Sequence, residues 1–339
     1  MSYNKNMIIL YLYKEEWEKD YISSQQLAAS VQFSEKLEDV SDEDLKKVEV
    51  LSVFVCQPVQ RADLDKMPNL KLIATRSTGF DHIDVVATKE RNITVVYVPS
   101  YGENTVAEFA FALLLALSRK IPEAHKQVTE TGSFDQLSLN GFDLKGKTIG
   151  IVGTGRIGVH AIKIAKGFGM NVVAYDPFPK SNLDQELDFK YVGFEELLNQ
   201  SDIISLHAPF SENTRHMINE ESIKYIKKEA VLINTARGGL VQTSALIKAL
   251  EENIISAAGL DVLEEEGDMM DEDNLLNNPH PKLEELKNVL ANHYLINHPR
   301  VIVTPHIAFN TVEAVHRILD TTVLNINAFI SGEIRNKVP

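Results

Sequence analysis

The stretch KTIGIVGTGRIGVHAIKIAKG, residues 147–167, decides the fold. A short apolar run, TIGIV, passes directly into GTGRIG at 153–158 and then into a segment with helical spacing of its apolar residues. That is the strand, turn and helix of a dinucleotide-binding unit. Each glycine has its own task. Gly153 permits the tight turn, Gly155 lets main-chain N–H groups meet a pyrophosphate, and Gly158 allows the helix to pack closely on the strand. The helix N-terminus adds partial positive charge and Arg156 a full one. The glycine pattern alone is unspecific, but a second strand at 171–175 ends on Asp176, 18 residues beyond Gly158. A carboxylate there accepts from both ribose hydroxyls and repels a 2′-phosphate, which predicts NAD rather than NADP.

Working outward, apolar runs at 203–207, 231–234, 255–260 and 301–304 continue the alternation of strands and helices. At or just past their ends stand His207-Ala208-Pro209, Thr235-Ala236-Arg237-Gly238, Asp261 and His306. These groups converge on the carboxyl edge of one parallel sheet, where the nicotinamide must lie if the pyrophosphate sits on 153–158. Upstream, runs at 7–13, 50–56, 70–75 and 94–98 predict a further set of parallel strands separated by helices. The loop STGFD, 77–81, follows the third of them, and Gly79 lets main-chain amides approach an anion. Between the two sets, NTVAEFAFALLLALSR at 104–119 is apolar almost all round and predicts a buried helix.

The composition fits this frame. A chain of 339 residues with 44% hydrophobic and 24% charged side chains can fill two cores of ordinary size. A net charge of -14 without a basic cluster excludes a nucleic acid or an anionic membrane as partner. The one cysteine, Cys56, cannot form an intramolecular disulfide and is expected as a small buried thiol. No apolar run approaches the roughly 20 residues of a membrane helix, and 7–13 lacks a cleavage site. A cytoplasmic protein without a metal site is the expectation.

Reduction of a 2-oxo acid needs a cation to hold the carboxylate and polarise the carbonyl, and an acid to protonate the oxygen as hydride arrives. Arg237 can grip a carboxylate with two parallel bonds, and His306 can give or take the proton. The histidine needs a carboxylate to orient it. The run Glu264-Glu265-Glu266 offers three, and charge alone does not choose among them.

With these residues in place, the chain resembles the D-isomer-specific 2-hydroxyacid dehydrogenase family, most closely its D-lactate dehydrogenase branch. The matching segments are RSTGFDHID (76–84), SYGENTVAE (100–108), GTGRIG (153–158), INTARG (233–238), GLDVLEEE (259–266) and TPHIAF (304–309). The resemblance implies that Arg237 binds substrate, that His306 donates the proton and that Glu266 is its partner, since the family's glutamate falls five residues after the position of Asp261. It implies carboxylate binding by the amides of Thr78 and Gly79, with Tyr101 and Phe309 near the substrate's side chain. Contacts to NAD are implied for Arg156, Ile157, Asp176, Ala208, Pro209, Thr214, Thr235, Ala236 and Asp261, and His207 becomes a cofactor-side residue.

The same resemblance implies two doubly wound parallel-sheet domains, a Rossmann NAD-binding domain (104–304) inserted into a flavodoxin-like substrate domain (1–103 and 305–339), with a cleft that closes on substrate. It implies a homodimer, to which the helix at 105–117 is expected to contribute. Gly267 stands where many relatives have proline, and the stretch 268–300 is long, acidic and rich in Asn, expected as a loop bearing a helix at 282–290. Cys56 and Asn310 occupy positions where some D-lactate enzymes carry aromatic groups, which leaves the pocket size open. A reductase of glyoxylate, hydroxypyruvate or a branched 2-oxo acid is the alternative within the family. An NAD-sensing corepressor on the same fold is the alternative outside enzymes.

Overall fold

The computed structural model describes residues 7–266 and 282–338. The chain divides into two compact units, Met1–Tyr101 with Thr311–Pro339, and Gly102–Asn310.

In the first unit the strands are β1 (Ile8–Leu12), β2 (Ser30–Ser34), β3 (Val50–Val53), β4 (Leu72–Thr75) and β5 (Thr94–Val96). They form one parallel sheet in the order β2-β1-β3-β4-β5, the flavodoxin type of winding. β3 and β4 are buried along their whole length, as strands covered on both faces must be. β2 escapes the apolar pattern because it is an edge strand, SVQFS, with no fully buried residue. The C-terminal helix Val312–Ile330 packs on β4. The chain end then returns along β5, where the Tyr97 amide donates to Asn336 and that of Val338 to Val95.

This unit also buries a charge that the pattern of apolar runs does not reveal. Arg76, 1% exposed, lies over the Tyr11 ring and donates to Glu18 Oε2 at 3.0 Å and to the Leu12 carbonyl. Tyr11 donates to the same carboxylate at 2.9 Å, and burial with the nearby Glu18 outweighs Arg76 in pushing the phenol well up. A buried guanidinium is tolerated only when so paired. Cys56 corrects the expectation of a buried thiol. It is exposed, because β3 stops at Val53 and the chain turns there, with the Gln57 amide donating to Phe54 O at 3.0 Å.

The second unit holds β6 (Thr148–Val152), β7 (Asn171–Tyr175), β8 (Lys190–Tyr191), β9 (Ile203–Leu206), β10 (Ala230–Asn234), β11 (Ile255–Leu260) and β12 (Val301–Val303). Its sheet runs β12-β11-β10-β9-β6-β7-β8, parallel throughout. Counted from β6, this is the 3-2-1-4-5-6 order of dinucleotide-binding sheets with one strand added. β8 has two residues, too few for any periodicity. The helix Leu283–Ile296 extends the expected helix at 282–290. Gly267 and the remainder of the acidic stretch through residue 281 lie outside the described residues.

The helix Glu103–Ser118 buries Ala107, Ala110, Phe111, Leu113, Leu114 and Leu117 in the core of its own unit, against the helix Arg156–Gly167 and β11. Exposed apolar side chains follow on the next helix, Ile121–Thr131, and on the segment after it, at Ile121, Val128, Phe134 and Leu137. No helix among the described residues is long and apolar enough to cross a membrane.

Candidate active site

The glycine turn leaves β6 at Gly153, whose φ of 94° suits only glycine. A Cβ on Gly158 would stand 2.0 Å from the Gly153 carbonyl oxygen, so the helix start and the turn touch through main chain alone. A Cβ on Gly155 would meet nothing within 4 Å; the space on that side is open at the N-terminus of the helix Arg156–Gly167. Arg156 and Ile157 open that helix, with the Arg156 guanidinium 3.6 Å from Glu103. Asp176 stands directly after β7. Its Oδ2 accepts from the Thr154 amide at 2.7 Å and the Thr154 hydroxyl at 2.9 Å, and its Oδ1 from the Phe178 amide at 2.9 Å. Tyr191 donates to the Thr154 hydroxyl at 2.9 Å. Thr154 and Tyr191 are thus supports of the acid that sequence reasoning missed; the first lay inside the glycine motif itself.

At the opposite half of the edge, Thr214 donates to the Pro209 carbonyl at 2.7 Å and shapes the turn after Ala208. The Thr235 hydroxyl is buried without a hydrogen-bond partner among the described residues, beside Ala236 at the end of β10. An open glycine cradle, a carboxylate after the second strand and an orphaned hydroxyl at the far end fit an extended dinucleotide. Desolvation holds the His207 imidazole down to about 4, and Ser205 stands 2.9 Å from its Nε2.

The groups expected to react stand after β10, β11 and β12. Arg237 follows Thr235-Ala236; its Nη1 donates to Ala236 O at 2.8 Å, and Asn234 Nδ2 donates to the Arg237 carbonyl at 2.9 Å. His306 has φ of 53°, a left-handed conformation that a non-glycine residue holds only when its surroundings fix it. Asp261 fixes it. This wholly buried carboxylate accepts from the Thr304 hydroxyl at 2.6 Å and from the amides of Ile307 at 2.9 Å and Ala308 at 2.8 Å, while its carbonyl accepts from the His306 amide at 2.8 Å. Burial pushes the Asp261 carboxyl up, and those hydrogen bonds oppose the shift without cancelling it. Three of its roughly four acceptor positions are therefore spent on the histidine's own segment. These bonds also place residues 305–310 with the second unit, so the chain returns to the first at Asn310–Thr311, later than the expected boundary at 305.

The three glutamates separate cleanly. Glu266 Oε1 lies 2.6 Å from His306 Nδ1, Glu264 turns toward Thr243 and His216, and Glu265 is exposed. Phe309 is half-buried three residues beyond His306. Among the described residues no group of three or more His, Cys, Asp or Glu could hold a metal ion.

In the first unit, Thr78 and Gly79 lie in the loop after β4. The Thr78 hydroxyl donates to Val98 O at 2.8 Å and the Ser77 hydroxyl to Gly79 O at 2.5 Å, while the two amides have no acceptor among the described residues. Arg76, one residue earlier, anchors this loop in the core. Tyr101 ends the unit, and its carbonyl accepts from Arg317 Nε.

The chain is similar to proteins already known. Residues 111–308 match the NAD binding domain of D-isomer specific 2-hydroxyacid dehydrogenases. The glyoxylate reductase of Thermococcus litoralis is 41% identical over 299 residues, 86% of this chain and 83% of that protein. The structure of the pyruvate reductase of Chlamydomonas reinhardtii superposes with a TM-score of 0.85 at 35% identity, covering 98% of both chains. That of D-lactate dehydrogenase from Aquifex aeolicus, complexed with NAD and lactic acid, does so with a TM-score of 0.81 at 34% identity over 96% of both. With its parallel sheets, its glycine turn and more than half its length within the matched region, the chain belongs to the D-isomer specific 2-hydroxyacid dehydrogenase family and carries that family's NAD-binding domain.

Proposed function

We propose that this chain reduces a small, pyruvate-like 2-oxo acid to the D-2-hydroxy acid with NADH. The observation that carries the reading is the 2.6 Å contact of His306 Nδ1 with Glu266 on the sheet edge that also bears Arg237. When bound, NADH supplies the hydride. Glu266 accepts from Nδ1–H and so fixes the ring and its tautomer, which leaves Nε2 as the atom that gives up a proton to the carbonyl oxygen. Arg237 holds the substrate carboxylate and stabilises the charge that develops beside it. The family resemblance further assigns the amides of Thr78 and Gly79 to the substrate carboxylate and Tyr101 and Phe309 to its side chain, which favours a methyl or short alkyl group over a charged one.

The 41%-identical glyoxylate reductase favours a second reading, in which the substrate carries hydrogen in place of that alkyl group. Oxidation of NADH with pyruvate, 2-oxobutyrate, glyoxylate, hydroxypyruvate and a branched 2-oxo acid separates the two. The expected order puts pyruvate or 2-oxobutyrate first. Glyoxylate first moves the assignment to the second reading, and no turnover with any of them despite tight NADH binding overturns both.

Because a carboxylate after the second strand of the unit, Asp176, repels a 2′-phosphate, kcat/KM with NADH should exceed that with NADPH by about tenfold or more, equivalent to ~1.4 kcal/mol or more. Equal values would remove Asp176 from cofactor selection. The exposed Ile121, Val128, Phe134 and Leu137 supply an apolar surface on the NAD-binding unit suited to a homodimer.

A further inference from the structure

We propose that Glu264 is a positioning residue that holds Arg237 and the Glu266–His306 pair in fixed register, acting through His216 and Thr243; the inference rests on the roles given above to Arg237, Glu266 and His306. Glu264 lies two residues before Glu266, and its side chain is bonded to Thr243 and His216 while Glu266 pairs with His306. Its Oε2 accepts from the Thr243 amide at 2.9 Å and the Thr243 hydroxyl at 2.8 Å, and its Oε1 pairs with His216 Nε2. Its own carbonyl accepts from the buried Asn292 Nδ2 at 2.9 Å.

His216 carries the connection onward to the arginine. Its amide donates to the Gly239 carbonyl at 2.8 Å, and Ile218 N donates to Leu240 O at 3.0 Å, so the 216–218 segment is stitched to the chain just after Arg237. The same two loops also touch directly: a Cβ on Gly238 would stand 1.9 Å from the Leu263 carbonyl oxygen. His216 itself has φ of 50°, a conformation that its bonds on both sides must maintain. Glu264 thus joins the loop of the proton-donating pair, the loop of the carboxylate-binding arginine and the start of the helix Thr243–Glu251. Both loops lie at the carboxyl ends of neighbouring strands, where a displacement of about 1 Å costs on the order of 10²-fold in rate.

A helix cap and a positioning residue differ in what they change. If Glu264 only capped the helix, its loss would lower Tm and leave the kinetics of the folded enzyme as they were. If it sets the register, Glu264→Ala should lower kcat/KM for the best 2-oxo acid by about 10²-fold, with KM raised and kcat reduced together and NADH affinity within about threefold of wild type. Glu264→Gln should restore most of this, since its oxygen can accept from Thr243 and its amide can donate to His216. His216→Phe keeps both Thr243 bonds and cuts only the link toward Arg237, so it should raise KM more than it lowers kcat. Steady-state kinetics, NADH titration and thermal melts on the full chain test these together. Wild-type kcat and KM in Glu264→Ala and His216→Phe would overturn the proposal, and should Glu264→Ala fail to fold, His216→Phe decides alone. Absence of 2-oxo acid turnover in the wild-type protein would instead remove the reading beneath it.

Discussion

Replacing His306 with Gln should lower kcat by about 10²- to 10⁴-fold, the range that a positioned general acid supplies, while NADH binding stays within a few-fold of wild type. The substitution keeps a polar group of similar reach and removes only the ability to deliver a proton from Nε2. The backbone around it is set by Asp261, whose carboxylate holds the amides of Ile307 and Ala308 rather than any atom of the imidazole, so the left-handed turn at 306 survives the change. Rapid-mixing measurement of the first turnover and a fluorescence titration of NADH check the two halves of the expectation. Near wild-type turnover in the variant would remove His306 from the chemistry.

Arg237→Met should raise KM for the 2-oxo acid and lower kcat, with kcat/KM falling by about 10²- to 10⁴-fold, since a charge-assisted pair of hydrogen bonds to a carboxylate is worth about 3 to 5 kcal/mol. Methionine fills much of the same volume and leaves the main chain of the loop, where Asn234 donates to the 237 carbonyl, undisturbed. Arg237→Lys should recover only part of the loss, because an ammonium cannot make the two parallel bonds. Saturation kinetics with pyruvate read both effects; a change confined to NADH affinity would place Arg237 on the cofactor instead.

Much of this site was legible in the sequence because its chemistry dictates residue types at fixed places. The tight turn into the helix forces glycine where a Cβ would collide, as Gly158 shows against Gly153 O, and a ribose calls for an acid after the next strand. Convergence of Arg237 and His306 followed from the rule that parallel sheets put ligands at the carboxyl ends of their strands. Which glutamate serves His306 did not follow from charge. It depended on the family's register, and the structure shows the physical reason: Leu263 N donates to Glu266 Oε2 at 3.3 Å, turning that carboxylate toward His306, while Glu264 is taken by Thr243.

What stayed hidden was carried by contacts between distant segments. Nothing in GLDVLEEE discloses that Asp261 holds down residues 304–308, or in STGFD that Arg76 is buried against Glu18, 58 residues earlier in the chain. The edge strand Ser30–Ser34 lacks the apolar pattern because one side of it has no neighbour. The near-continuous apolarity of the helix Glu103–Ser118 serves its packing on the helix Arg156–Gly167 and β11, partners that the pattern alone does not name.

The handedness of the product tests the central claim most directly, because it depends on Arg237, His306 and the hydride donor acting on one face of a single carbonyl. Pyruvate is the substrate to use, since reduction of glyoxylate creates no stereocentre. Lactate formed from pyruvate and NADH by this chain, resolved on a chiral column, should be the D-isomer alone. L-lactate, or a racemic mixture at the initial rate, would contradict the account.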